Sequence, residues 1–190
     1  KNAAGATLHK FNTFVKEQNG ATRNIVRLRG DVDTVMHSPE VGEILKQHGI
    51  TQQDCVEYDH ATNGPVERSI QTLFGDVRSM LHCSKLPDDC WLLALEEAAR
   101  MRCILPNKRT GDNTTPFEMI HGERPDVSNI RAFGSHAWPH ITPEQQKARQ
   151  DNSKLSGPRA DRGVLVGNDL RTGLYIVLIK GRITRRTRCV

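Results

Sequence analysis

The chain has 190 residues, 36% hydrophobic and 26% charged, a globular composition with room for one ordinary core and an appendage or for two small domains. It contains no run of eighteen apolar residues, and Lys1-Asn2-Ala3-Ala4-Gly5 lacks the apolar stretch of a secretory signal, so neither a membrane span nor export is indicated. The net charge of +5 and pI near 9.1 favour a polyanionic partner, and the odd set Cys55, Cys83, Cys90, Cys103 and Cys189, with no CxxC pair, reads as free thiols in a reducing, intracellular compartment.

Leu8, Phe11, Phe14 and Val15 recur at helical spacing and predict an amphipathic helix over Thr7 to Gln18, stopped at Gly20. Ile25, Val26 and Leu28 predict a strand from Asn24 to Leu28 that delivers Asp31 into a loop. Ser38-Pro39-Glu40 is a helix start, with Val41, Ile44 and Leu45 on the inner face and His48-Gly49 as the stop. A short strand and loop follow over Ile50 to Tyr58. Val66, Ile70, Leu73, Phe74, Val77, Met80 and Leu81 fall at steps of three and four, predicting a helix from Pro65 to His82 with Glu67 in its first turn. Asp88 and Asp89 are expected to cap a further helix that buries Trp91, Leu92, Leu95, Ala98, Ala99 and Cys103 and ends near Pro106.

Between Asn107 and Gln150 the glycines and prolines predict short irregular pieces. Gly163 to Val166 and Leu174 to Ile179 then read as strands joined by a turn over residues 168–173, and Ile183 starts a third. The plan is α/β, with a small basic β module at the end. Residues 171–190 hold Arg171, Lys180, Arg182, Arg185, Arg186 and Arg188 and no acid. Those arginines suit phosphates without reading sequence, or are solvated charge.

Asp31 and Glu67 are candidate ligands for a shared metal. Carboxylate oxygens are the hard donors that Mg²⁺ and Mn²⁺ prefer, and a pair of such ions polarises both the attacking and leaving oxygens of a phosphodiester. In the first turn of a helix, Glu67 would also gain from the positive end of the helix dipole. On spacing alone, Asp31 and Glu67 are two of 22 acids, and a capping or dipole role is the plain alternative. Arg68 could meet a phosphate or pair with an acid, and Asn63-Gly64 could be an ordinary turn into the helix. His136 and His140 have zinc-pair spacing, but no cysteine pair stands nearby and Pro139 argues against a helix, so no zinc is expected. Trp91 and Trp138 read as packing residues, and 5% aromatic content speaks against a base-stacking binder.

The strings Leu28-Arg29-Gly30-Asp31, Asn63-Gly64-Pro65-Val66-Glu67-Arg68, Arg78-Ser79-Met80-Leu81, Leu86-Pro87 with Trp91, Thr115-Pro116-Phe117-Glu118, Arg131-Ala132-Phe133-Gly134 and Gly163-Val164-Leu165-Val166-Gly167 occur in this order over nearly the whole chain. Together they resemble the integrase region of copia-type retrotransposon Pol polyproteins. The resemblance implies an RNase H-like core with an Asp, Asp, Glu metal site, in which Asp31 is the second Asp and Glu67 the Glu. It implies two Mg²⁺ or Mn²⁺ ions, end processing and strand transfer on DNA, a homo-oligomeric parent and a nuclear site of action. Asn63 and Gly64 would then shape a mobile loop close to DNA, with Arg68, Arg182, Arg185, Arg186 and Arg188 on phosphates. The implied parts are residues 1–106 as the C-terminal part of the core, 107–158 as an irregular extension and 159–190 as the basic β module.

The chain also departs from that pattern. The family's first Asp would stand ahead of residue 1, so the resemblance implies a fragment, inactive alone. Val32-Asp33-Thr34-Val35-Met36 replaces the family's Asn-Gly-Gly-Glu-Phe, and its His/Cys zinc module is missing. A non-catalytic DNA-binding or assembly remnant, a relic of element decay and an RNase H-like nuclease therefore stand beside the integrase.

Overall fold

A computed structural model describes residues 2–18, 25–30, 36–54, 60–108, 110, 111, 113–148, 157–169 and 172–186, and it is mixed α/β. Its contacts divide the chain into two compact units, Lys1–Gln71 with Met119–Gly122, and Thr72–Glu118 with Glu123–Val190.

The first unit is built on a β-α-β step. Helix α1 (Asn2–Gln18) starts before the expected Thr7 because alanines at 3, 4 and 6 favour helix. Strand β1 (Arg27–Gly30) and strand β2 (Thr51–Asp54) pair in parallel, in the register Arg27↔Thr51, Leu28↔Gln52, Arg29↔Gln53 and Gly30↔Asp54. Helix α2 (Pro39–His48) crosses between them, starting and stopping where its sequence signals stand. Ser38 is extended at its start but makes no side-chain cap bond; Pro39 supplies the pre-set φ. Gly49 stands at φ +66°, and the Gly49 and Ile50 N–H groups donate to the carbonyls of Lys46 (3.2 Å) and Leu45 (2.8 Å), the paired bonds of a Schellman stop. That stop launches β2 at a fixed residue. The Thr51 N–H then donates to the Val26 carbonyl at 2.9 Å, which explains why β1 begins at Arg27 and not at the expected Asn24.

Val41, Leu45 and Ile50 are buried, with Ala4, Leu8, Ile25 and Leu28 packed around them. Each such aliphatic side chain contributes on the order of 1.5–3 kcal/mol by leaving water. Beside this core, His9 Nδ1 on α1 lies 3.1 Å from His48 Nε2 at the end of α2, with ring centroids 5.2 Å apart.

Helix α3 (His60–Ser84) begins five residues before the expected Pro65, so Asn63 and Gly64 are helical and Pro65 lies inside. A proline there removes one early backbone bond, a cost the helix tolerates when it can bend. In the second unit, Leu73, Val77, Met80 and Leu81 of α3 meet Ala94 and Ala98 of helix α4 (Trp91–Ile104), with Phe133 at the edge. A short 3₁₀ turn, Asp88–Cys90, precedes α4 and no side-chain cap bond is made, so the expected Asp cap is absent. The expected inward face is also corrected: Trp91 (47% exposed), Leu92, Ala99 and Cys103 face outward, while Cys90, Ala94, Glu97, Ala98 and Ile104 are buried. The sequence of α4 is apolar on several sides; the alanine face permits close approach of α3. Glu97 is tolerated there because Arg100 Nε donates to Glu97 Oε2 at 2.7 Å and Arg100 Nη2 to Oε1.

The expected irregular stretch holds two short helices, α5 (Pro116–His121) and α6 (Pro143–Ala148). Thr142 and Gln145 form a reciprocal capping box at α6, with bonds of 3.2 and 3.3 Å. The strand pair expected near the C-terminus is part of a four-stranded antiparallel sheet in the order β3 (His136–Ala137), β4 (Gly163–Asn168), β5 (Tyr175–Ile179) and β6 (Arg182–Arg186). Lys180 and Gly181, both at positive φ, make the two-residue turn between β5 and β6. Ala137, Leu165 and Val177 form the core of the sheet. Gly134, at φ +84°, lies so close to the end of α3 that a Cβ would fall 2.1 Å from Ser84 Cβ. Among the described residues, no helix is long and apolar enough to cross a membrane.

Two outcomes follow. Gly64→Ala should raise stability to denaturant by about 0.5–1 kcal/mol, since Gly64 is helical and an added Cβ meets nothing nearer than 3.9 Å; destabilisation would place Gly64 in a turn. The His48 pKa is held below its ordinary 6.5 by partial desolvation, then Lys16, then His9. The unfolded chain therefore takes up the proton more readily, and stability present above that value falls as pH drops through it. The urea midpoint should be lower at about pH 5.5 than at about pH 7.5, by a smaller margin in His48→Gln.

Candidate metal and nucleic-acid site

Ligands of open α/β sheets gather beyond the carboxyl ends of parallel strands. In this chain that end is marked by Gly30 on β1 and its register partner Asp54 on β2. Asp31 follows Gly30 in the sequence and itself lies outside the described residues, as does its separation from Glu67.

Next to that strand end is a polar cluster that sequence reasoning missed. Asp54 Oδ1 lies 3.2 Å from His37 Nε2 and accepts a hydrogen bond from Gln52 Nε2 at 3.2 Å. Arg29 Nη2 donates to Gln53 Oε1 at 3.1 Å. Asp54 could have been found only from the parallel register, which sets it opposite Gly30. The His37–Asp54 pair is well exposed, so its own contribution to stability is small.

Glu67 is exposed and, among the described residues, has no ion-pair or hydrogen-bond partner. It stands two turns into α3, not in the first turn, so the helix-dipole gain expected for it is lost: that field fades within the first turn. Asn63 takes the helical position one turn before Glu67, and Gly64 the position one turn before Arg68. The Arg68 guanidinium folds back over Gly64, with nitrogens 3.9 and 4.0 Å from where a Gly64 Cβ would be. Ser69 Oγ donates to the Pro65 carbonyl at 2.7 Å, which steadies the turn holding Glu67 and Arg68. The expected apolar stripe of α3 is buried only in its second half; Val66, Ile70 and Phe74 are exposed because no described element covers them.

Arg182, Arg185 and Arg186 lie on β6, the edge strand of the four-stranded sheet, opposite Ile179, Ile176 and Tyr175. Arg182 is exposed, and Arg188 lies outside the described residues. Charge on an edge strand blocks unwanted strand pairing and offers donors to a polyanion. His136 on β3 and His140, bridged to Ala160, are exposed. Among the described residues no group of three or more His, Cys, Asp or Glu is placed to hold a metal. Trp138, expected to pack, is 43% exposed beside His136, and of the described cysteines only Cys90 is buried.

No protein-family model matches the chain. It is 32% identical over 148 residues to the retrovirus-related Pol polyprotein from transposon TNT 1-94 of Nicotiana tabacum, an alignment covering 76% of this chain and 11% of that protein. It is 28% identical over 122 residues to the transposon Ty1-LR3 Gag-Pol polyprotein of Saccharomyces cerevisiae, covering 64% of this chain and 7% of that one. The chain thus spans a small part of the relatives it matches. A chain of the simian T-cell lymphotropic virus intasome in complex with PP2A regulatory subunit B56 gamma superposes with a TM-score of 0.48 at 14% identity, over 96% of this chain and 61% of that one. The likeness read from the ordered motifs is borne out at this level: the chain is a homologue of retrotransposon Pol polyproteins.

Proposed function

We propose that the chain is part of a retrotransposon integrase, and that Asp31 and Glu67 are two of the carboxylates of its metal-dependent nucleotidyl-transfer site in an RNase H-like core. The observation that carries this is the homology to Pol polyproteins over most of the chain; Asp31 and Glu67 stand in two of the ordered strings that resemble the integrase region. The end of β1 at Gly30 and the exposed, unpartnered Glu67 support it.

The donor set suits Mg²⁺ or Mn²⁺: Glu67 offers hard oxygens with no described cation competing for them. Two such ions, when bound, would supply polarisation of the attacking and departing oxygens. Asp31 and Glu67 would hold these ions. Arg68 and the arginines of β6, with Arg188, would hold strand phosphates, and Asn63 would border the scissile region from the turn before Glu67. The partners are element ends and target DNA, the working form a homo-oligomer, and the place of action the nucleus.

Val32-Asp33-Thr34-Val35-Met36, with no glycine after Asp31, favours a second reading: a DNA-holding remnant without catalysis. That protein would bind DNA in a salt-dependent way and cleave nothing when Mg²⁺ is added. An RNase H-like nuclease would hydrolyse without joining.

The test joins the chain to the preceding segment of its polyprotein and measures strand transfer with Mg²⁺. Glu67→Gln should lower the rate at least about a hundredfold, about 2.7 kcal/mol in barrier, with folding intact. Joining at the parental rate in Glu67→Gln would remove Glu67 from the site.

A further inference from the structure

The turn between α3 and α4 holds an open cleft of about 480 Å³, lined by Arg78, Leu81, His82, Lys85, Leu86 and Asp88. We propose that this cleft is a separate nucleic-acid contact that seats one backbone phosphodiester. It rests on the reading of the chain as a nucleic-acid protein and adds residues that reading does not use.

Arg78 and His82 stand four apart on one side of the end of α3, and Lys85, the first residue past the helix, lines the same cleft. All three are exposed, and among the described residues none has an ion-pair or hydrogen-bond partner. The contrast with neighbouring α4 is informative: Arg100 is paired with Glu97, and Arg102 with Asp76 at 2.8 Å. Arg78 and Lys85 are instead turned into a concave surface that holds one acid, Asp88, with which neither is paired. Lys85 also stands at φ +54°, a left-handed position just past the helix where glycine would be cheaper, so a charged side chain is kept there at a conformational cost.

The shape and charge choose among anions. A small-molecule ligand requires enclosure on most sides, whereas this cleft is rimmed by exposed residues and admits a polymer lying across it. Arg78 and Lys85 bring two positive charges and Asp88 one negative, a net of one from these three. That matches the single charge of a phosphodiester; the Asp88 carboxylate opposes a doubly charged monoester. Half-buried Leu81 and Leu86 give an apolar floor for the face of a sugar.

The experiment titrates the whole chain with a labelled duplex DNA in EDTA across a range of salt, so that nucleotidyl transfer plays no part. Arg78→Gln/Lys85→Gln should lower the slope of log K against log salt by about 0.9, the value for one phosphate, with the far-UV spectrum unchanged. Lys85→Gly separates binding from structure: it should bind DNA more weakly while melting at a higher temperature. An unchanged slope in the double variant, or no duplex binding by the parent chain, overturns the proposal. So does displacement of DNA by inorganic phosphate beyond that by chloride at equal ionic strength, since that identifies a free-phosphate site. Loss of joining in Glu67→Gln with no change in these slopes would leave the nucleotidyl-transfer reading standing and this one fallen.

Discussion

The parallel pairing of Arg27–Gly30 with Thr51–Asp54 is the constraint on which the candidate site depends. A parallel pair needs a crossover, and α2 supplies it with a start and a stop each written into a few residues. Because Gly49 and Ile50 close α2 on Leu45 and Lys46, the next strand has one possible starting point, and the register that follows sets Gly30 opposite Asp54. A one-residue slip would send Leu28 away from Val41 and Leu45 and would turn every later side chain to the opposite face.

In the second unit the governing term is close packing of small residues. Ala94 and Ala98 are fully buried against Val77, and a larger side chain at either would push α3 and α4 apart. The same closeness appears where Gly134 meets Ser84 and where Gly163 meets Val177, positions at which even a methyl group has no room. Glu97 and Arg100 are the polar exception on the buried face of α4, and removing either would strand the other's charge away from water.

How much of this could be read from the chain depended on whether the controlling interaction was local. Helix α2 and strands β4 and β5 were legible because their limits are set by neighbouring residues: Ser38-Pro39, Gly49, and the turn over residues 168–173; the third strand was read from Ile183, while the two-residue turn at Lys180-Gly181 before it was not. The start of α3 was not, because Asn63-Gly64-Pro65 is a turn signal by propensity, yet the segment is helical and carries Pro65 inside. The inner face of α4 was misread because Trp91 and Leu92 outrank alanine in hydrophobicity, while the helix contact selects for size. For the site, the candidacy of Asp31 and Glu67 was legible from ordered motifs and strand-end chemistry. The placement of Glu67 beyond the first turn, and the presence of Asp54 and His37 at the same strand end, required the register and the helix start, which are set by distant contacts.

The account is most directly tested by asking whether one divalent ion senses both acids. Paramagnetic Mn²⁺, added in substoichiometric amounts to isotopically labelled chain joined to its preceding polyprotein segment, should broaden the resonances of Asp31 and Glu67 together and spare those of the β6 arginines. The broadening at Glu67 should vanish in Asp31→Asn. Broadening at one acid without the other, or at neither, would contradict a shared metal and with it the nucleotidyl-transfer site proposed for this chain.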